Sequence, residues 1–484
     1  MNNVSTGIEG LDVILGGGLP PGRLYLVQGD PGAGKTTLGL QYLLDGHRRG
    51  ESVLYVSLSE TRDELLAVAA SHGMDLGGVP IFELASDDSL LRPERQNTLF
   101  EPSEVELSEV TRALLAEVDR VRPARVVFDS LSELRLLAQS PLRYRRQLLA
   151  LKQHFIGRRS TVLLMDDRTS EPGDLQLQSL AHGVIELEQL SPVYGPERRR
   201  MRVAKMRGVA FRGGYHDFRI VKGGLQIYVR LVAAEHHADF QAGQLRSGAS
   251  LLDEMLGGGL DRGTSALLLG PAGSGKSALA IQYAGAAAQR GERAACYLFD
   301  ESLKTFVQRS TDLGVPAGPL IDKGTLLVRQ VDPAEMSPGE LIAHVRDDVE
   351  RRNATVVVID SLNGYLAAMP EENFLVVQLH ELLSYLRQRG VVCILVVAQA
   401  GLLGTHMAAP VDVSYLADTV IMLRYFEARG EVHKALSVLK RRSGRHSSEI
   451  RELIFESAGL RLGAALKDLD GVLTGVPRHL AGGT

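Results

Sequence analysis

Residues Gly29–Thr37 read GDPGAGKTT, and residues Gly270–Ala278 read GPAGSGKSA. Both satisfy G-x-x-x-x-G-K-[S/T], a spacing with a mechanical reason. Glycines let the backbone curl until several N–H groups point inward at an anion. A helix starting at the loop adds the positive end of its dipole. In the first copy Gly29, Gly32, Ala33, Gly34 and Thr37 shape the cradle, and Lys35 brings a point charge. In the second the same places are held by Gly270, Gly273, Ser274, Gly275 and Ala278, with Lys276 as the cation. The hydroxyls of Thr36 and Ser277 stand where such loops ligate Mg2+. The expected ligand of each loop is therefore a nucleotide, ATP, with its Mg2+.

The likeness of the two stretches extends beyond the loops. TGIEGLDVILGGGLPPGRLYLVQGDPGAGKT begins at Thr6, and SGASLLDEMLGGGLDRGTSALLLGPAGSGKS begins at Ser247. Over residues 6–42, 17 of 37 positions are identical at an offset of 241, with no gap. Further on, RVVFDSLSEL (Arg125–Leu134) answers to VVVIDSLNGY (Val356–Tyr365), and VAKMRG (Val203–Gly208) to VLKRRS (Val438–Ser443). A repeat of this length is a duplicated domain, not a solenoid unit. The polar, weakly patterned stretch Val232–Gln244 reads as the seam, giving domains at about 1–235 and 243–484.

Within each copy, short β-branched runs alternate with longer helical stretches. RLYLVQG, SVLYVSL, ARVVFDS and STVLLMD are continuously apolar, as in strands covered on both faces. Such alternation predicts right-handed βαβ units and a mostly parallel sheet flanked by helices. An acid closes one such run in each copy, Asp129 after VVF and Asp360 after VVVI. The expectation is that each lies beside the strand entering the phosphate loop and serves as the second metal-site group.

The 484 residues are 44% apolar and 23% charged, with a net charge of −4, so nothing global suggests a nucleic-acid footprint. Cys296 and Cys393 both fall in apolar, strand-like runs and read as reduced core thiols. No basic-then-apolar leader precedes the first domain, and the longest apolar run, Val391–Leu403, is too short to span a bilayer. A soluble, cytoplasmic chain without membrane attachment is expected.

Together these residues resemble the KaiC family within the RecA-like ATPases, double-domain proteins with ATPase and autokinase activity in the cyanobacterial clock. The resemblance covers nearly the whole chain, and the duplicated layout is its specific part. It implies two tandem RecA-like domains and a homo-hexamer of two stacked rings, with nucleotide between neighbouring subunits. It also implies that a Lys-x-Arg pair on a late strand reaches the neighbour's phosphates: Lys205 and Arg207 in the first ring, Lys440 and Arg442 in the second. The family's two adjacent glutamates after the second strand are altered here to Ser59–Glu60 and Asp300–Glu301. Glu60 would have to act as base in the first site, and Asp300 or Glu301 in the second. Gln399 stands where RecA-like proteins place a γ-phosphate sensor. The family's phospho-acceptor Ser-Thr pair is Ser414–Tyr415 here, leaving Ser414 as the first candidate.

Two other readings compete. A DNA recombinase or helicase would need basic channel loops. Asp166–Ser179 holds one arginine against four acids, and Ala400–Asp412 has no Lys or Arg. An ATP-assembled scaffold with feeble hydrolysis, read by an unidentified protein partner, fits the altered glutamates. The resemblance and the divergent acids together point to a double-ring ATPase with unequal sites, the second the faster.

Overall fold

The computed structural model describes residues 3–83, 102–167, 176–192, 195–367, 375–399, 414–456, 459–474 and 477–479. It falls into two units, Met1–Arg230 and Leu231–Thr484. The first carries strands β1 (Leu24–Gly29), β2 (Val53–Ser57), β3 (Ile81–Glu83), β4 (Arg125–Asp129), β5 (Thr161–Asp166), β6 (Gly183–Leu190), β7 (Arg198–Met206), β8 (His216–Val221) and β9 (Gly224–Tyr228). They form one sheet in the order β3-β2-β4-β5-β1-β6-β7-β8-β9. Strands from β3 to β6 pair parallel, and β7 to β9 extend the sheet antiparallel.

The second unit repeats the plan with β10 (Ser265–Pro271), β11 (Ala294–Leu298), β12 (Leu326–Gln330), β13 (Val356–Asp360), β14 (Val392–Gln399), β15 (Thr419–Ala428), β16 (Glu431–Arg441), β17 (Ile450–Glu456) and β18 (Gly459–Ala465). Their order, β12-β11-β13-β14-β10-β15-β16-β17-β18, is that of the first sheet.

The apolar runs become strands because helices cover both faces. Every residue of β1, β2, β4 and β5 is buried. Each sheet accordingly has an apolar cluster on either side. Local chemistry sets the helix ends. The helix Lys35–Arg48 closes with His47 and Arg48 in its last turn, and Gly50 follows at φ 75°. Thr61 and Glu64 form a reciprocal capping box at the start of Arg62–Ser71.

One expectation is corrected. Asp129 and Asp360 do not lie on strands beside the phosphate-loop strand: β5 stands between β4 and β1, and β14 between β13 and β10. Alternation of strand and helix fixes handedness, but not the order in which strands take their places. Beside the expected seam, the chain packs on the second unit. Leu231 and Ala233 are buried in that unit's core, and the Ala233 N–H donates to Glu381 Oε2 at 3.1 Å.

Candidate nucleotide sites

Both loops follow the C-terminal end of a parallel strand and lead into a helix. Gly34 and Gly275 occupy the position before that helix, each at φ 105°, where a side chain is strained. At Gly275 a Cβ would also lie 2.3 Å from the Phe455 ring. Lys35 Nζ donates to the main-chain oxygens of Gly29 (2.8 Å) and Asp30 (3.0 Å). Lys276 Nζ donates to Pro271 O at 2.6 Å, and burial pushes its pKa down to about 8. Both lysines are thus folded back onto their own loops.

Although a strand intervenes, the loop helix carries its first turn across to the strand-end acid. Thr36 Oγ1 donates to Asp129 Oδ2 at 3.0 Å, and Ser277 bonds Asp360 in the same way. Burial raises the pKa of both carboxyls, a desolvation that a cation would relieve. Among the described residues no three His, Cys, Asp or Glu side chains are grouped to hold a metal ion. A hydroxyl and one carboxylate suit Mg2+, which completes its octahedron with phosphate oxygens and water. The residues therefore fit Mg-nucleotide and not a metal bound by protein alone.

The remaining candidates separate the sites. In the first, Ser59 is exposed, while Glu60 lines a cleft of about 610 Å³ with Lys35, Thr36, Asp129, Asp167 and Arg199. Glu60 Oε2 is buried without a partner. Its pKa is raised by burial and then by Asp129, Glu64 and Asp167. In the second, Asp300 Oδ2 accepts from Ser361 Oγ at 2.6 Å, and Glu301 is paired with Arg309 at 2.6 Å. Gln399 pairs with Pro271 in register, and its Oε1 is buried without a partner, as is Ser274 Oγ.

Three contributors to the first site are not evident from the sequence. Tyr55 donates to Asp129 Oδ2 at 2.6 Å, Asp167 pairs with Lys35 at 2.7 Å, and Arg199 lines the cleft. None belongs to a motif, and strand register alone brings them in. The register-equivalent of Tyr55 is Cys296, since Val53 pairs with Arg125 as Ala294 pairs with Val356. Residues 168–175 of the expected channel loop Asp166–Ser179, and all of the expected loop Ala400–Asp412, lie outside the described residues.

The family model described as "ATPase: KaiC" matches residues 4–232 and again residues 245–466. The chain belongs to the KaiC family of ATPases. The chain is 25% identical to "Circadian clock protein KaiC3" of Synechocystis sp., across 99% of this chain and 95% of that protein. It is 24% identical to "Circadian clock oscillator protein KaiC" of Acaryochloris marina, across 99% and 92%. A protein of that same description from Picosynechococcus sp. is 25% identical, across 99% and 93%.

The Lys-x-Arg pairs of this KaiC-family chain lie away from their own loops. Lys205 pairs with Val184 near the start of β6, whereas Gly29 pairs with Leu187 further along it. Lys205 Nζ donates to Ala181 O at 3.1 Å and to Gln178 O, and Arg207 Nη2 to Ser179 O at 2.9 Å. In the second unit Lys440 Nζ donates to Ser414 O (2.9 Å) and Ala417 O (2.8 Å), and Arg442 Nη2 to Tyr415 O (2.7 Å). Ser414 is half-buried beside these cations and Tyr415 is exposed. Among the described residues no helix is long and apolar enough to cross a membrane.

Proposed function

We propose that the chain is a slow Mg-dependent ATPase with two unequal nucleotide sites, assembling as a double-ring homo-hexamer and phosphorylating itself on Ser414. The observation that carries this reading is the repeated constellation of loop lysine, loop hydroxyl and strand-end carboxylate. Thr36 with Asp129, and Ser277 with Asp360, would hold the magnesium ion, which supplies charge neutralisation at the phosphates when bound. Lys35 and Lys276 hold the phosphate oxygens in place.

The acids after the second strand take a proton from the attacking water. Glu60 is the candidate in the first site, where its raised pKa and unpartnered oxygen suit proton acceptance. In the second, Asp300 bonds Ser361 beside Asp360, whereas Glu301 is held by Arg309, so Asp300 is the better-placed base. Gln399, whose Oε1 is buried without a partner, is the proposed sensor of the terminal phosphate. Lys205, Arg207, Lys440 and Arg442 sit at the end of the sheet remote from their own loops, which supports their acting on a neighbour's phosphates. Ser414, at that same end, would take its phosphoryl group across the subunit boundary. The exposed Ser59 favours a second possibility, that the first ring holds ATP chiefly for assembly and presents a surface to a protein partner.

Phosphate release with Mg-ATP, measured beside Lys35→Ala and Lys276→Ala with intact-mass analysis, tests the reading. Lys276→Ala is expected to remove most turnover, and the added mass to map to Ser414. A negligible rate in all three proteins, with both variants failing to assemble, would leave the scaffold reading.

A further inference from the structure

We infer that Asp167 is an ionic lock on the first nucleotide site, a carboxylate that must leave Lys35 before phosphate can bind, and that the second site has no such lock. The inference rests on the nucleotide reading of the loops.

An ammonium group has three N–H donors. Those of Lys35 meet Gly29 O at 2.8 Å, Asp30 O at 3.0 Å and Asp167 Oδ1 at 2.7 Å. Two of these partners are main-chain oxygens of the loop itself. The third is a rotatable, charged side chain, and an arriving phosphate competes for the same place. Lys35 is 6% exposed and Asp167 28%, so water screens that competition only in part. Asp167 also accepts from Ser132 Oγ at 3.3 Å, which holds the carboxylate toward the loop. Once displaced, it remains near the incoming phosphates as a like charge.

The second unit lacks this arrangement by register. Leu24 pairs with Val162, and the corresponding Ser265 pairs with Cys393. Five residues beyond these partners stand Asp167 and Ala398. Among the described residues no carboxylate forms an ion pair with Lys276, which donates to Pro271 O. The two loops are alike in sequence, yet among the described residues only the first has a competitor for phosphate, set just beyond the end of the neighbouring strand.

The test is equilibrium binding of mant-ATP with Mg2+ to the full chain, reading one site at a time. With the second site silenced by Lys276→Ala, adding Asp167→Ala is expected to tighten binding about three- to tenfold, the scale of a partly buried ion pair. With the first site silenced by Lys35→Ala, adding Ala398→Asp is expected to weaken binding by a similar factor. Should Asp167→Ala fail to fold, as judged by circular dichroism, Asp167→Asn keeps the shape and the Ser132 bond while removing the charge. Unchanged or weaker binding in the Asp167 variants, or no effect of Ala398→Asp, would overturn the lock. If the Lys276→Ala protein binds no mant-ATP with or without Asp167, the nucleotide reading of the first site fails, and the lock falls with it.

Discussion

Asp129 shows how much one carboxylate depends on its donors. It is buried, its pKa is raised by that burial, and it is stabilised as an anion by Tyr55 and Thr36. Removing the phenol hydroxyl deprives a desolvated charge of its shorter hydrogen bond, 2.6 Å against 3.0 Å from Thr36. Tyr55→Phe is expected to destabilise the first unit by about 1.5–3 kcal/mol, the range for hydrogen bonds to charged groups. Urea denaturation of the two proteins at neutral pH measures it, and a difference near zero would show that Thr36 alone satisfies the acid. The phosphate loops were legible in the sequence because their chemistry is local: glycines, lysine and hydroxyl lie within nine residues. Tyr55 and Asp167 were not legible. Their partners are 74 and 132 positions away, and the approach is set by sheet register instead of spacing.

At the level of elements, alternating apolar runs and helices announced the parallel sheet and its doubling. They did not reveal that β5 and β14 come between the loop strand and the acid strand. Interior strands of a parallel sheet are all uniformly apolar, so composition cannot rank their positions. The antiparallel extension carries its own chemistry. His216 at the start of β8 is buried, its Nδ1 accepts from the Arg230 N–H, and burial drives its pKa down to about 4. The unfolded chain binds this proton below about pH 6.5 and the folded chain only near pH 4, so stability falls as pH drops through that interval. A loss of roughly 2 kcal/mol between pH 7 and pH 5 follows from the shift. His216→Asn, which cannot titrate, is expected to show a flatter dependence in urea unfolding at the two pH values. An identical slope in both proteins would assign the acid sensitivity to other groups.

For the whole molecule, the proposed hexamer makes a combinatorial prediction. Lys276→Ala lacks a loop lysine, while Lys440→Ala with Arg442→Ala lacks the cations offered to a neighbour. Each protein alone is expected to lose second-ring turnover. Dissociated, mixed in equal amounts and reassembled, they would restore intact loops facing intact cations at about a quarter of the interfaces of a closed ring. Phosphate release at that fraction of the unmodified second-ring rate is the expected result. Recovery absent at every mixing ratio would place the cations and the loop they serve within one subunit.

One strand gives this arrangement a mechanical side. Arg199 near the start of β7 borders its own subunit's cleft, and Lys205 near the end of the same strand lies where the neighbour is proposed to begin. Six residues of extended chain put the two side chains roughly 20 Å apart. β7 pairs with β6 on both sides of a register shift that falls between Val203 and Lys205, and over part of its length with β8, whose Ile220 lies against Gly34 of the phosphate loop. The extra residue, Ala204, is a bulge, and a bulge bends the strand that carries it. In the proposed hexamer this one strand would join the cleft of a subunit to the cations offered to its neighbour, with the bend at Ala204 as the joint between them.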